Sequence, residues 1–86
     1  MQKIYKYGLL GIATIIELPQ ESTVLHAAFQ RERICLWIAV TDKPTEQRHF
    51  VLIPTGGEVP EGGKYISTAI TGDDRYVFHV YEVPHA

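Results

Sequence analysis

Cys35, His26 and His79 are the residues of this chain with the right types for nucleophilic chemistry, a thiol and two imidazoles able to draw off its proton. A catalytic thiol needs an electropositive, partly exposed setting. Cys35 stands between Ile34 and Leu36, so it reads as an inert core residue. Asp73 and Asp74 form the only adjacent acidic pair, but in T71-G72-D73-D74 their expected work is to cap a turn with their side chains. Glu58 and Glu61 flank V59-P60 in a glycine-rich segment, where nothing pre-organises them for acid and base roles. The four histidines and one cysteine show no C-x-x-C, H-x-H or H-E-x-x-H spacing, so neither a metal site nor a cofactor is expected. The reading is of a protein that is not an enzyme.

Binding chemistry has more to work with. Gly56, Gly57, Gly62 and Gly63 lie in one short segment, and successive backbone N–H groups of such a loop can cradle an anion. The phosphate-binding pattern G-x-x-x-x-G-K-[ST] is absent, because around G63-K64 the first glycine is replaced by Glu58 and the hydroxyl residue by Tyr65. The segment is therefore read as a connection between strands, with a lid over a small ligand as the functional alternative. Trp37 and Tyr81 have faces on which a planar ring could stack, although aromatic packing is their ordinary use. His79, flanked by Phe78 and Val80, reads as a hydrogen-bonded packing residue or as a contact to a ligand or partner. Arg75 is the candidate anion contact. Together with Gly56, Gly57 and Tyr65, these residues make up the expected binding set.

The elements that must position them are strands. No stretch sustains an apolar period of 3.6, whereas extended patterns fill residues 2–7, 12–18, 24–30, 34–41, 48–53, 64–70 and 76–83. R31-E32-R33 reads as the break of a hairpin. T55-G56-G57-E58-V59-P60-E61-G62-G63 holds four of the seven glycines and one of the five prolines, so it can be neither helix nor central strand. The expected fold is all-β, about seven short antiparallel strands in a small sandwich or partly open barrel with meander-like connectivity. Residues 1–86 form a single small domain.

Two strands have no polar face. Ile34, Leu36, Ile38 and Val40 line one side of the fourth, with Cys35, Trp37, Ala39 and Thr41 on the other. In the last, Tyr76, Phe78 and Val80 share a side with Glu82, while Val77, Tyr81 and Val83 share the other with His79. A two-residue turn centred on Gly72 and Asp73 would set Ala69 opposite Tyr76 and Ser67 opposite Phe78, leaving room for both rings in the core. Val77, His79 and Tyr81 then face outward with Ile66 and Thr68. An apolar outer patch on a domain this small is expected to be covered by a second copy, giving a homo-oligomer, or by a ligand or partner.

The charge excludes less. A formal net charge of −2 with eight dispersed lysines and arginines gives little reason to expect duplex nucleic acid as partner. Lys3 and Lys6 followed by G8-L9-L10-G11-I12-A13-T14-I15-I16 imitate a secretory signal, but Glu17, Leu18 and Pro19 stand where a cleavage site belongs. The apolar run is too short to span a bilayer. With a lone cysteine, a reducing compartment is the expectation.

The blocks K-I-Y-K-Y, V-L-H-A-A-F-Q, C-L-W-I-A-V, R-H-F-V-L-I-P-T-G, Y-I-S-T and V-F-H-V-Y-E carry a likeness over most of the chain. Through them, and through C-L-W and V-F-H-V above all, the sequence resembles a family of short proteins of unknown function found in phages, prophages and bacterial genomes. Positions 8–16 are more apolar than that pattern. The resemblance implies a phage or prophage origin and a cytoplasmic setting in a bacterial host cell, and brings no catalytic residues with it. Small phage accessory proteins commonly act by stoichiometric binding, so the expected function is counter-defence by sequestration of a nucleotide-type signalling molecule. The alternative is a protein–protein inhibitor that blocks a host nuclease or defence effector through an apolar β surface.

Overall fold

The computed structural model describes residues 1–84. Seven strands follow one another in the chain: β1 (Lys3–Gly8), β2 (Ala13–Pro19), β3 (Thr23–Gln30), β4 (Arg33–Val40), β5 (Thr45–Pro54), β6 (Lys64–Ile70) and β7 (Val77–Val83). They form two antiparallel sheets, one ordered β1-β4-β3 and the other β2-β5-β7-β6, which face each other as a sandwich that does not close into a barrel. Among hydrogen-bonded neighbours only β3–β4 and β6–β7 are consecutive in the chain. Connectivity thus departs from the expected meander, because the chain repeatedly changes sheet at its turns.

The core follows from strand alternation. Inward residues Leu18, Leu36, Ile38, Phe50 and Val80 are fully buried, each contributing about 1.5–3 kcal/mol through the surface it removes from water. The fourth strand lacks a polar face because it is central: β1 and β3 flank it, Ile34, Leu36, Ile38 and Val40 face the core, and Cys35 and Ala39 are small enough to be covered. Cys35 is buried as expected, yet it lies on the outer face with Trp37. There the Lys6 ammonium donates to the Gln30 side chain across β4, 2.8 Å away, and Arg33 folds against Gly8.

The sandwich differs along its two sides. β3 packs beside β6, making a seam between the sheets, whereas no comparable seam joins β1 to β2. Its turns are tight and partly strained. Gln30 pairs with Arg33, so Arg31 and Glu32 alone make the β3–β4 turn, at φ of 50° and 72°. A two-residue hairpin demands that left-handed backbone, and neither residue is the glycine that would adopt it freely.

The β6–β7 turn is longer than expected. Ile70 pairs with Val77 and Ala69 with Phe78, leaving residues 71–76 as the loop. Thr71 Oγ1 and the Arg75 N–H both donate to Asp73, while Asp74 takes a left-handed φ of 59°. One aspartate caps the turn; the other supplies its backbone bend. Slipping the pairing by two residues preserves side-chain direction, so Phe78 and Val80 still face inward and His79 outward. Ile66 does not follow the expectation: the register shifts between Tyr65 and Ser67, and this bulge turns Ile66 from the outer side to the core.

Candidate functional site

Three places combine functional side chains with an opening: the outer face of β7, the end of the sandwich near the β3–β4 turn, and the opposite end. The β5–β6 connection makes the first. β5 and β6 are both antiparallel to β7, which lies between them, so residues 55–63 must cross over β7 to join two parallel strands. The glycines make this crossing possible at close range. A Cβ on Gly63 would stand 2.8 Å from the Pro60 ring and 3.2 Å from the Tyr81 ring, and one on Gly57 would be 2.9 Å from Ile53. Gly56 takes a φ of 97° that side chains disfavour.

A chain of hydroxyls and one imidazole fastens this crossover. Tyr65 and Thr68 share a hydrogen bond of 2.6 Å, Thr68 and His79 Nδ1 one of 3.0 Å, and His79 Nε2 and Thr55 one of 2.9 Å. Both ring nitrogens of His79 are engaged, and the chain can run in either direction because hydroxyls donate or accept. The imidazole clips the start of the loop to β6 across β7. Tyr81 meets Tyr65 edge to face at 5.6 Å between centroids. A recess of about 240 Å³ remains between loop and strand, lined by Ile53, Thr55, Gly56, Gly57, His79 and Tyr81 among others.

The structure therefore brings Gly56, Gly57, Tyr65, His79 and Tyr81 together and leaves Trp37 and Arg75 elsewhere. Trp37 is on β4, on the outer face of the other sheet, tilted against His26 at 6.1 Å. Arg75 sits in the β6–β7 turn, exposed, 3.6 Å from Asp73. Neither reaches the recess, whose lining contains no lysine or arginine. The outer side of β7, expected to be covered by a ligand or second copy, is in part covered by the chain's own loop.

The second place is apolar. The β1–β2 loop (Leu9, Leu10, Gly11, Ile12) leans over the end of the sandwich beside Phe29, Ile34, Leu52 and Phe78, enclosing a cleft of about 400 Å³. Thr71, Glu32 and Arg33 complete its lining. Leu10 and Ile12 remain 76% and 75% exposed at its lip. Three of the four non-glycine residues with positive φ, Arg31, Glu32 and Asp74, belong to the turns bordering this end. Backbone strain of this kind gathers where a site needs a particular shape. Sequence reasoning missed the cleft because its residues come from five separate segments; the hint was the unusual run of apolar residues between β1 and β2.

The third place is narrower, a recess of about 150 Å³ lined by Ser22, Val24, Arg48 and Lys64 among others. Arg48 and Glu82 lie between the sheets at the opposite end, 14% and 20% exposed, joined by two parallel hydrogen bonds of 2.6 and 2.7 Å. Arg48 also donates to the Ser22 carbonyl at 2.6 Å and lies 5.8 Å from the Phe50 ring centroid. The bond to Glu82, outweighing the cost of burial, raises the Arg48 pKa further above its ordinary value.

A family model described as a domain of unknown function (DUF7352) matches residues 1–86. No curated protein and no solved structure matches the chain.

Proposed function

The chain belongs to this family of unknown function, and from its own geometry we propose that it is a non-enzymatic, phage-type accessory protein that binds a small molecule stoichiometrically in the end cleft. The observation that carries this reading is the cleft itself: about 400 Å³, walled by Phe29 and Phe78, with Glu32 and Arg33 of the β3–β4 turn at its rim. Ligand sites of small molecules are concave, mostly apolar and marked by a few polar groups. Two aromatic rings suit a planar ring system, the part of a nucleotide-type signal that would enter such a cleft. Sequestration in the bacterial cytoplasm as a counter to host defence accords with the lone buried thiol and with the class of genes the sequence resembles. The site is thus assigned to the cleft, which is larger and more apolar than the recess under the crossover loop.

Native mass spectrometry of protein recovered from bacterial cells, followed by calorimetric titration with mononucleotides and cyclic dinucleotides, tests the reading. A small-molecule adduct per chain, lost together with the heat of binding in Phe78→Ala and Arg33→Ala, is the expected result. Absence of any adduct and of any heat overturns it. The second reading, an inhibitor that seats a host nuclease or defence effector, is favoured by the exposure of Leu10 and Ile12 at the cleft's lip. Its outcome in the same experiment is a polypeptide retained in stoichiometric amount.

A further inference from the structure

The lysines and arginines are spread along the chain, but folding gathers half of them. β1, β3 and β4 carry no aspartate or glutamate. With the β3–β4 turn, the three-stranded sheet holds Lys3, Lys6, Arg31 and Arg33 against one carboxylate, Glu32, while the rest of the chain has four lysines and arginines against nine carboxylates. Among the described residues none of the sheet's four cations pairs with a carboxylate, whereas Lys43, Arg48 and Arg75 each do. Glu32 lines the end cleft, and the carboxylates that flank these strands in the chain, Glu21 and Asp42, are taken by Lys43 and the N-terminus.

The outer face of this sheet has a ring at its centre. Ile34, Leu36, Ile38 and Val40 face the core, so Arg33, Cys35 and Trp37 point outward from the middle strand. Lys6 and His26 pair with Trp37 from either side, which puts ammonium, indole and imidazole in one row. A bulge between Val24 and His26 turns His26 outward, since Val24 and Ala27 both face the core. Bulges of this kind re-aim side chains beside sites. The next row is a floor of Gly8, Cys35 and Ala28, with nothing larger than a thiol. Over it the Lys6 ammonium reaches Gln30, the cross-strand partner of Arg33, and the Arg33 side chain lies on Gly8. Two cations thus share this floor beside Trp37, and an anion placed between them lowers the energy of both.

We propose that the outer face of the three-stranded sheet binds single-stranded nucleic acid, with a base stacked on Trp37 and backbone phosphates on Lys6 and Arg33. Aromatic platforms flanked by cations hold single strands without reading their sequence. A sheet face accepts an extended strand, whereas duplex readout needs an element that enters a groove. A protein partner fits less well, because the centre of such interfaces is depleted of lysine. The end cleft shares only Arg33 with this surface, its lining containing neither Trp37, Lys6 nor His26, so the proposal does not rest on what the cleft holds.

Trp37 is the only tryptophan, so its fluorescence reports this surface directly. Titrating the purified protein with an oligothymidylate of about 12 nucleotides should quench it. Raising the salt from about 50 to 200 mM should weaken binding roughly tenfold, as two or three phosphate contacts require. Lys6→Gln should lower the affinity about fivefold, and Trp37→Leu, followed by anisotropy of a labelled oligonucleotide, by roughly tenfold or more. Lys64→Gln, outside the face, should leave it unchanged, and circular dichroism reports the folding of each variant. Absence of quenching at low salt overturns the proposal, and so does an affinity indifferent to Lys6→Gln. Tighter binding of oligoglutamate than of the oligonucleotide also overturns it, since the occupant would then be an acidic polypeptide.

Discussion

The two ends of the sandwich solve one problem in opposite ways. Two facing sheets leave a gap at each end that must be filled. At one end Arg48 and Glu82 fill it with a bidentate ion pair that also satisfies the Ser22 carbonyl. At the other, hydrocarbon from the β1–β2 loop lines the gap and stays partly open. A charged plug is complete once its hydrogen bonds are made; an apolar lining is complete only when something displaces its water. The difference locates binding potential at one end and stability at the other.

Breaking the plugged end should have the largest effect. Glu82→Ala leaves Arg48 between the sheets without its partner and should cost about 2–3 kcal/mol, read by urea denaturation. Replacing both, as Arg48→Met with Glu82→Leu, should stay within about 1 kcal/mol of the wild type. At the open end, Phe78→Ala should cost only about 1–2 kcal/mol, because the half-buried ring already borders empty space, while small-molecule binding is lost. A Phe78→Ala penalty equal to that of Glu82→Ala would erase the contrast. Glu32→Gly should raise stability by about 0.5–1 kcal/mol by relieving a φ of 72°, read by the same denaturation.

The smallest effect is electrostatic and also belongs to the open end. Hydrogen bonds from Thr71 and the Arg75 backbone lower the Asp73 pKa. Its contribution is therefore full above the ordinary carboxylate range and fades as pH falls through the lowered value. Amide hydrogen exchange at Arg75 and Tyr76 should quicken in acid relative to the rest of the chain, and Asp73→Asn should abolish that pH dependence.

Local patterns in the sequence carried the strands, the hairpin at Arg31–Glu32 and the opposite directions of Phe78 and His79. These depend on alternation and on turn residues a few positions apart. The register of β6 against β7 depended on a turn whose length Thr71, Asp73 and Asp74 set through their own hydrogen bonds, and the Ile66 bulge had no sequence mark. What covers β7 could not be read without the strand order, since only the placement of β7 between β5 and β6 forces the loop across it. The Arg48–Glu82 pair joins residues 34 positions apart and has no local signature. Five of the seven residues of the expected binding set gathered because they came from β7, its neighbour β6 and the loop above them; Trp37 and Arg75 came from other surfaces.

The placement of β7 also dictates when the domain can exist during synthesis. The last of the seven strands to emerge from the ribosome is an interior member of its sheet, so β5 and β6 wait with exposed edges until Val77–Val83 has left the exit tunnel. Such non-local closure belongs to the millisecond-to-second range of folding rates, and until it happens the nascent chain depends on the solubility of its unpaired strands.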